Sequence, residues 1–244
     1  MLAPSAEIDR LSPTRRPARR VWGTQSWRHL LFMHWPVPVA ALRRVVPSCF
    51  DLDLHEGTAY VGVVPFAMRA VRPALLPAPL ALDFLETNVR TYVLRRGEPG
   101  VYFFSLEAAS RLAVAAARAS FALPYYFAKM TLDATTDVVR YRSERQRDGV
   151  TLEVAYRPGE QLGASQPGTL EHFLIERYLL FTERRGVPLR GQVHHPAYSV
   201  QRAEVLQVRD ELVAAAGLPA ISGPPSFAHY SAGVDVEVFA IERA

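Results

Sequence analysis

Lysine is almost missing from this 244-residue chain: of its 28 basic residues, 27 are arginine and one, Lys129, is lysine. Cysteine is as scarce, and Cys49 alone can form neither an intrachain disulfide nor a cysteine-rich zinc site, a usage that fits a reducing cytoplasm. No apolar run approaches the roughly 20 residues that span a bilayer, so no membrane segment is expected. The arginines at positions 15, 16, 19 and 20 are followed by no apolar stretch before Gln25 and Arg28, which argues against a secretory leader. Also missing are a GxSxG elbow, the GxGxxG and GxxxxGK[ST] phosphate loops and the HExxH zinc pattern, which counts against serine-hydrolase, nucleotide-dependent and zinc-peptidase chemistry. Adjacent His194 and His195 would point to opposite faces of a strand and so make a poor chelating pair. Neither a metal nor a cofactor is expected.

The formal charge of +4 sits mostly at one end, because residues 1–20 hold five arginines against Glu7 and Asp9. The remainder is nearly neutral and shows no clustered basic face of the kind that binds phosphate backbones, so nucleic acid is not an expected partner. With Pro4, Pro13 and Pro17, residues 1–20 read as a disordered Arg/Pro-rich tail. The 49% hydrophobic content is ample for a core, and no Ser/Gly-rich linker or repeat divides residues 21–244, which read as a single domain.

Most of that domain patterns as strands. The clearest are 22–35, 59–68, 84–96, 101–106, 127–135, 138–146, 150–156, 178–183, 199–208 and 234–241. Turns are expected at His55-Glu56-Gly57, at Gly97-Glu98-Pro99-Gly100 and at Asp148-Gly149. Helical spacing is confined to 39–46, the Ala-rich segment 110–122, and a short helix capped by Thr169 and running to Arg177. Many strands with three short helices predict a mainly β fold, an antiparallel barrel or sandwich.

Two places carry chemistry. In FLETNVRTYV, strand parity puts Glu86, Asn88, Arg90 and Tyr92 on one face and Thr87, Val89, Thr91 and Val93 on the other. Alternate residues stand about 6.6 Å apart, so Glu86 and Arg90 are too distant to pair directly. The polar face is either a solvated outer surface or the lining of an interior pocket. Lys129 is the second place: an amine can lose its proton and attack a carbonyl, whereas a guanidinium effectively cannot. On an extended segment Lys129 shares a face with Phe127 and Thr131. A genome rich in arginine codons would equally leave one lysine with no special role.

Several phrases together, LLFMHWPV at 30–37, AYVGVVPFAM at 59–68, ETNVRTYV at 86–93, GVYFFSLEA at 100–108, LPYYFAKM at 123–130 and GTLEHFLIERY at 168–178, resemble the uncharacterised domain-of-unknown-function family 2071. The resemblance runs from about Trp22 to HYSAGVDVEVF at 229–239. That family is similar to the acetoacetate decarboxylase-like superfamily, which implies a cone-like β-barrel around an interior pocket. In the decarboxylase a lysine forms a Schiff base with a β-keto acid, and a neighbouring cation activates that lysine. By this resemblance Lys129 would be the imine-forming residue of a Schiff-base lyase of decarboxylase, aldolase or dehydratase type. Glu86 would be the pocket carboxylate and Arg90 the substrate's carboxylate partner. Asn88, Tyr92, Tyr125 and Arg28 are further substrate-binding candidates. The decarboxylase's second, adjacent lysine is absent here, its places being taken by Ala128 and Met130. The partner implied is a small carbonyl or carboxylate compound, with a homo-oligomer compatible. The alternatives are a non-catalytic small-ligand barrel and a structural or regulatory protein in which Glu86 and Arg90 merely pair with neighbours.

Overall fold

Three short turns set the local geometry. At Glu56-Gly57, Arg96-Gly97 and Arg185-Gly186 both residues adopt positive φ (48° and 80°, 52° and 82°, 52° and 77°), the primed turn whose twist matches that of paired strands. Glycine suits the second position because it lacks the Cβ that makes left-handed backbone costly. The second of these turns is one step earlier than expected: only Arg96 and Gly97 turn, and Glu98, Pro99 and Gly100 already belong to the returning strand.

The computed structural model describes residues 8–121 and 123–244. In chain order the elements are β1 (Val21–Val37), α1 (Val39–Val45), β2 (Asp51–Leu52), β3 (Ala59–Pro73), β4 (Leu82–Arg95), β5 (Glu98–Ala108), α2 (Arg111–Phe121), β6 (Tyr125–Asp133), β7 (Val139–Arg145), β8 (Thr151–Gly163), α3 (Leu170–Ile175), β9 (Leu179–Arg184), β10 (Val187–His194), β11 (Val200–Asp210), α4 (Leu212–Ala215), β12 (Phe227–Phe239) and β13 (Glu242–Arg243). The fold is mainly β, as expected. The helix expected over 110–122 is α2, and its last expected residue, 122, lies outside the described residues. Thr169 caps α3, its hydroxyl accepting from the His172 amide at 3.3 Å, and the helix ends at Ile175, short of Arg177.

Among the described residues all thirteen strands join one sheet, mostly antiparallel, with parallel pairings only of β5 with β6 and with β9. The pairings close on themselves twice. One ring runs β5-β6-β7-β8-β11-β12-β1-β3-β4 and returns to β5; the other runs β9-β10-β12-β1-β3-β4-β5 and returns to β9. Strands β12, β1, β3, β4 and β5 belong to both rings, so both of their faces need cover. Two cores supply it: Val89 and Val93 of β4 pack with Tyr141, Leu152 and Tyr156 on one side, and Phe84 and Tyr92 of the same strand pack with Phe32, Phe66 and Phe173 on the other. This decides the choice left by parity. The face bearing Glu86, Asn88 and Arg90 is interior, since all three residues are buried.

The reading of residues 1–20 as a disordered tail is corrected over 8–20, and residues 1–7 lie outside the described residues. Arg10 clasps buried Asp53 through two hydrogen bonds of 2.7 and 2.6 Å. Arg16 pairs with Glu237 at 2.6 Å and Arg19 with Glu242 at 2.7 Å. Three of the five arginines that look like a loose basic run, Arg10, Arg16 and Arg19, are thus held by carboxylates of the loop after β2, of β12 and of β13. Among the described residues no helix is long and apolar enough to cross a membrane.

Candidate ligand cavity

A cavity of about 260 Å³ lies on the second core's side of β4, between that strand, β1, β3, β5 and helix α2. Five inward positions of β4 line it in sequence: Leu82, Phe84, Glu86, Asn88 and Arg90. One strand thus grades from apolar to polar in steps of about 6.6 Å. Opposite the apolar end, α2 contributes Leu112, Ala113, Ala116 and Ala117, a single helical face. The helix starts where it does because the Ser110 hydroxyl accepts from the Ala113 amide at 3.2 Å.

Glu86 is 3% exposed and stands between Phe66 of β3 and Ala108 of β5, so neither cross-strand neighbour solvates it. The Tyr125 hydroxyl donates to its Oε2 at 2.9 Å. Burial pushes its carboxyl up to about 8; the Tyr125 hydrogen bond works against that and the negative charge of Glu107 adds to it. At neutral pH Glu86 is therefore largely a neutral acid, able to donate a hydrogen bond into the cavity.

Arg90 marks the other pole. Its Nη2 donates to the Leu174 carbonyl at 2.9 Å, its guanidinium lies 5.6 Å from the centre of the Phe32 ring, and its Nε is buried without a hydrogen-bond partner. Among the described residues no carboxylate forms an ion pair with it. Gly62, its neighbour across the β3–β4 pairing, leaves room for it: a Cβ there would stand 3.0 Å from His34 Cδ2 and 3.4 Å from Arg90 Cγ.

A second guanidinium, that of Arg177, lines the same cavity. Its Nε donates to the Phe173 carbonyl at 2.7 Å and its Nη1 to Asp53 at 2.9 Å, while Nη2 is buried without a partner. Burial lowers its pKa to about 10, with Asp53 opposing that shift. Asp53 is already shared with Arg10. This end of the cavity thus holds more positive than negative charge. Arg177, Tyr178 and Tyr198 were not picked from the sequence, although the first two lie in the stretch GTLEHFLIERY; nothing in their local pattern marks them as cavity residues.

The structure brings together Glu86, Asn88, Arg90 and Tyr125, and leaves three expected residues out. Tyr92 is on the right face but lies behind Arg90, where its hydroxyl donates to the Leu174 carbonyl at 2.7 Å and accepts from His34 Nε2 at 2.8 Å. Arg28 faces outward, donating to Asp235 at 2.5 Å and to the Val234 carbonyl at 2.8 Å. Lys129 is exposed, and this corrects its expected place as the pocket amine. Its parity is the same as that of Tyr125, as an unbroken β6 register requires. Four residues along a strand, however, carry it about 13 Å from Tyr125. Helix α2 covers the β6 face only over its first residues: Arg118 Nε donates to the Tyr125 carbonyl at 2.7 Å and Arg111 lies 4.0 Å over the Phe127 ring. Beyond them the same face meets solvent. As the chain has one lysine, the cavity contains none. Among the described residues no three His, Cys, Asp or Glu side chains converge as a metal-ligand set.

Comparison with known proteins agrees with this architecture. The model of domain-of-unknown-function family 2071, an uncharacterised conserved protein, matches residues 24–235. The uncharacterised protein YqjF of Bacillus subtilis (strain 168) is 38% identical over 214 residues, covering 87% of this chain and 88% of that protein. Among solved structures, the enduracididine biosynthesis enzyme MppR complexed with pyruvate superposes with a TM-score of 0.64 at 10% identity, covering 94% of this chain and 93% of that one. An acetoacetate decarboxylase gives 0.64 at 14% identity, covering 96% and 97%. An acetoacetate decarboxylase-like enzyme from Sphingomonas wittichii RW1 gives 0.61 at 11%, covering 93% and 94%. At such identities the likeness is one of fold.

Proposed function

This chain belongs to the uncharacterised DUF2071 family and has an acetoacetate decarboxylase-like fold, and from that premise we propose that it binds a small carboxylate compound bearing a carbonyl group, without forming a covalent bond to it. One observation carries the reading: successive inward positions of β4 present an acid, an amide and a guanidinium with no carboxylate partner among the described residues to a cavity whose remaining walls are mainly apolar. A few convergent polar groups in an apolar pocket are the usual make-up of a small-ligand site.

Each group has a role that follows from its surroundings. Arg90, with Arg177 beside the same end of the cavity, takes the ligand's carboxylate, since an anion there offsets buried positive charge. Glu86 in its neutral form donates to the carbonyl oxygen, and Tyr125 holds its carboxyl in place. A buried carboxyl that titrates near 8 is also suited to passing a proton to or from the carbon next to a carbonyl. An imine is not part of this reading, because the one amine side chain lies outside the cavity. The neighbour whose structure holds pyruvate supports a carbonyl acid as the ligand class by analogy of fold.

Calorimetric titration with a panel of monocarboxylic keto acids, aldehydes and plain carboxylic acids tests this. Binding by the wild type that falls at least tenfold in Arg90→Met, with Lys129→Arg unaffected, is the expected result. No binding across the panel, or binding lost with Lys129 rather than Arg90, overturns it.

A further inference from the structure

The two polar poles of the cavity do not meet. Glu86 and Arg90 stand four residues apart on a strand, about 13 Å along its axis. Their heads are held by different elements: Glu86 Oε2 by the Tyr125 hydroxyl of β6, and Arg90 Nη2 by the Leu174 carbonyl of α3, each at 2.9 Å. Among the described residues no ion pair joins them. Asn88 stands between, its Oδ1 buried without a hydrogen-bond partner, and Val64 and Leu106 flank it across the sheet, so apart from that amide the interval is walled by apolar side chains.

A compact β-keto acid has its carboxylate and ketone separated by a single methylene, too little to touch both poles at once. Resting on the binding role proposed above, we infer that the ligand is elongated, with a carboxylate at the Arg90 end, an uncharged ketone at the Glu86 end, and an apolar body of about four methylenes between them. The assignment of ends follows from charge. Arg90 and Arg177 favour an anion at one end, whereas Glu86, between Phe66 and Ala108 and near the charge of Glu107, disfavours a second anion at the other. Volume permits a ligand of that length: the cavity is about 260 Å³. A ligand of that length also places its apolar body against Val64 and Leu106, where a short keto acid would leave the walls uncovered.

The test compares three probes by calorimetric titration: 6-oxoheptanoate, heptanoate, which keeps the length but lacks the ketone, and acetoacetate, which keeps both groups but not the spacing. The expected result is that 6-oxoheptanoate binds at least tenfold more tightly than either of the others, and that Glu86→Ala erases its advantage over heptanoate while heptanoate binding stays within about threefold. Equal binding of acetoacetate overturns the elongated ligand and leaves the carboxylate pocket standing. Equal binding of heptanoate to the wild type overturns the second pole alone. Failure of all three, with each variant folded by circular dichroism, overturns the pocket reading as well.

Discussion

Arg90 and Tyr92, two positions apart on one face of β4, donate to the same acceptor, the Leu174 carbonyl, at 2.9 and 2.7 Å. Tyr92 in turn accepts from His34 Nε2, whose imidazole is kept neutral by burial and by the charges of Arg90 and His229. The end of α3 is thereby fastened to the floor of the cavity.

Removing one of these donors should loosen that floor. Tyr92→Phe leaves the His34 N–H without its acceptor, and an unsatisfied buried polar group costs about 1–3 kcal/mol. Thermal unfolding should show a lowered midpoint, and carboxylate affinity should fall without the loss of any group that touches the ligand. A variant as stable as the wild type would contradict the arrangement.

The raised carboxyl of Glu86 makes a pH prediction with a definite sign. Its folded value near 8 exceeds the ordinary 4.5, so between them the folded state binds more protons than the unfolded one. The neutral acid's contribution is complete below about pH 4.5 and is lost as pH rises through about 8. Glu86→Gln has no such loss. Denaturant titrations should find the variant gaining on the wild type as pH climbs from about 5 to 8.5, and parallel curves would refute the shift.

Asp53 should matter more than either arginine it holds. It is fully buried between Arg10 and Arg177, and Asp53→Ala strands the Arg177 guanidinium without a counter-charge, a cost of about 3–5 kcal/mol. Arg10→Ala leaves the inner pair intact and should cost less. Urea unfolding of the two variants checks the order.

Lys129 should be dispensable. Exposed and outside the cavity, it can be changed to Arg or Met with a stability effect within about 0.5 kcal/mol and unchanged ligand affinity. Borohydride treatment with keto acids should leave the intact mass of the wild type unaltered. A trapped adduct that disappears in Lys129→Arg would reopen the imine chemistry.

The sequence by itself determined what depends on neighbours in the chain. Strand parity separated Glu86, Asn88 and Arg90 from Thr87, Val89 and Thr91; the paired turn residues Glu56-Gly57 and the Thr169 cap were readable for the same reason. Only the tertiary structure decided which surfaces those residues meet. Both faces of β4 are interior because two rings of strands share it, a matter of pairings such as Val101 with Leu180 that join residues far apart in sequence. Lys129 has Tyr125's parity and still lies outside, because helix α2 stops covering the face at Phe127. Arg177 comes to the cavity from beyond α3 and carries no local mark of it. Periodicity fixes the side of a strand on which a residue sits, whereas ring closure and helix cover fix whether that side is a pocket or solvent.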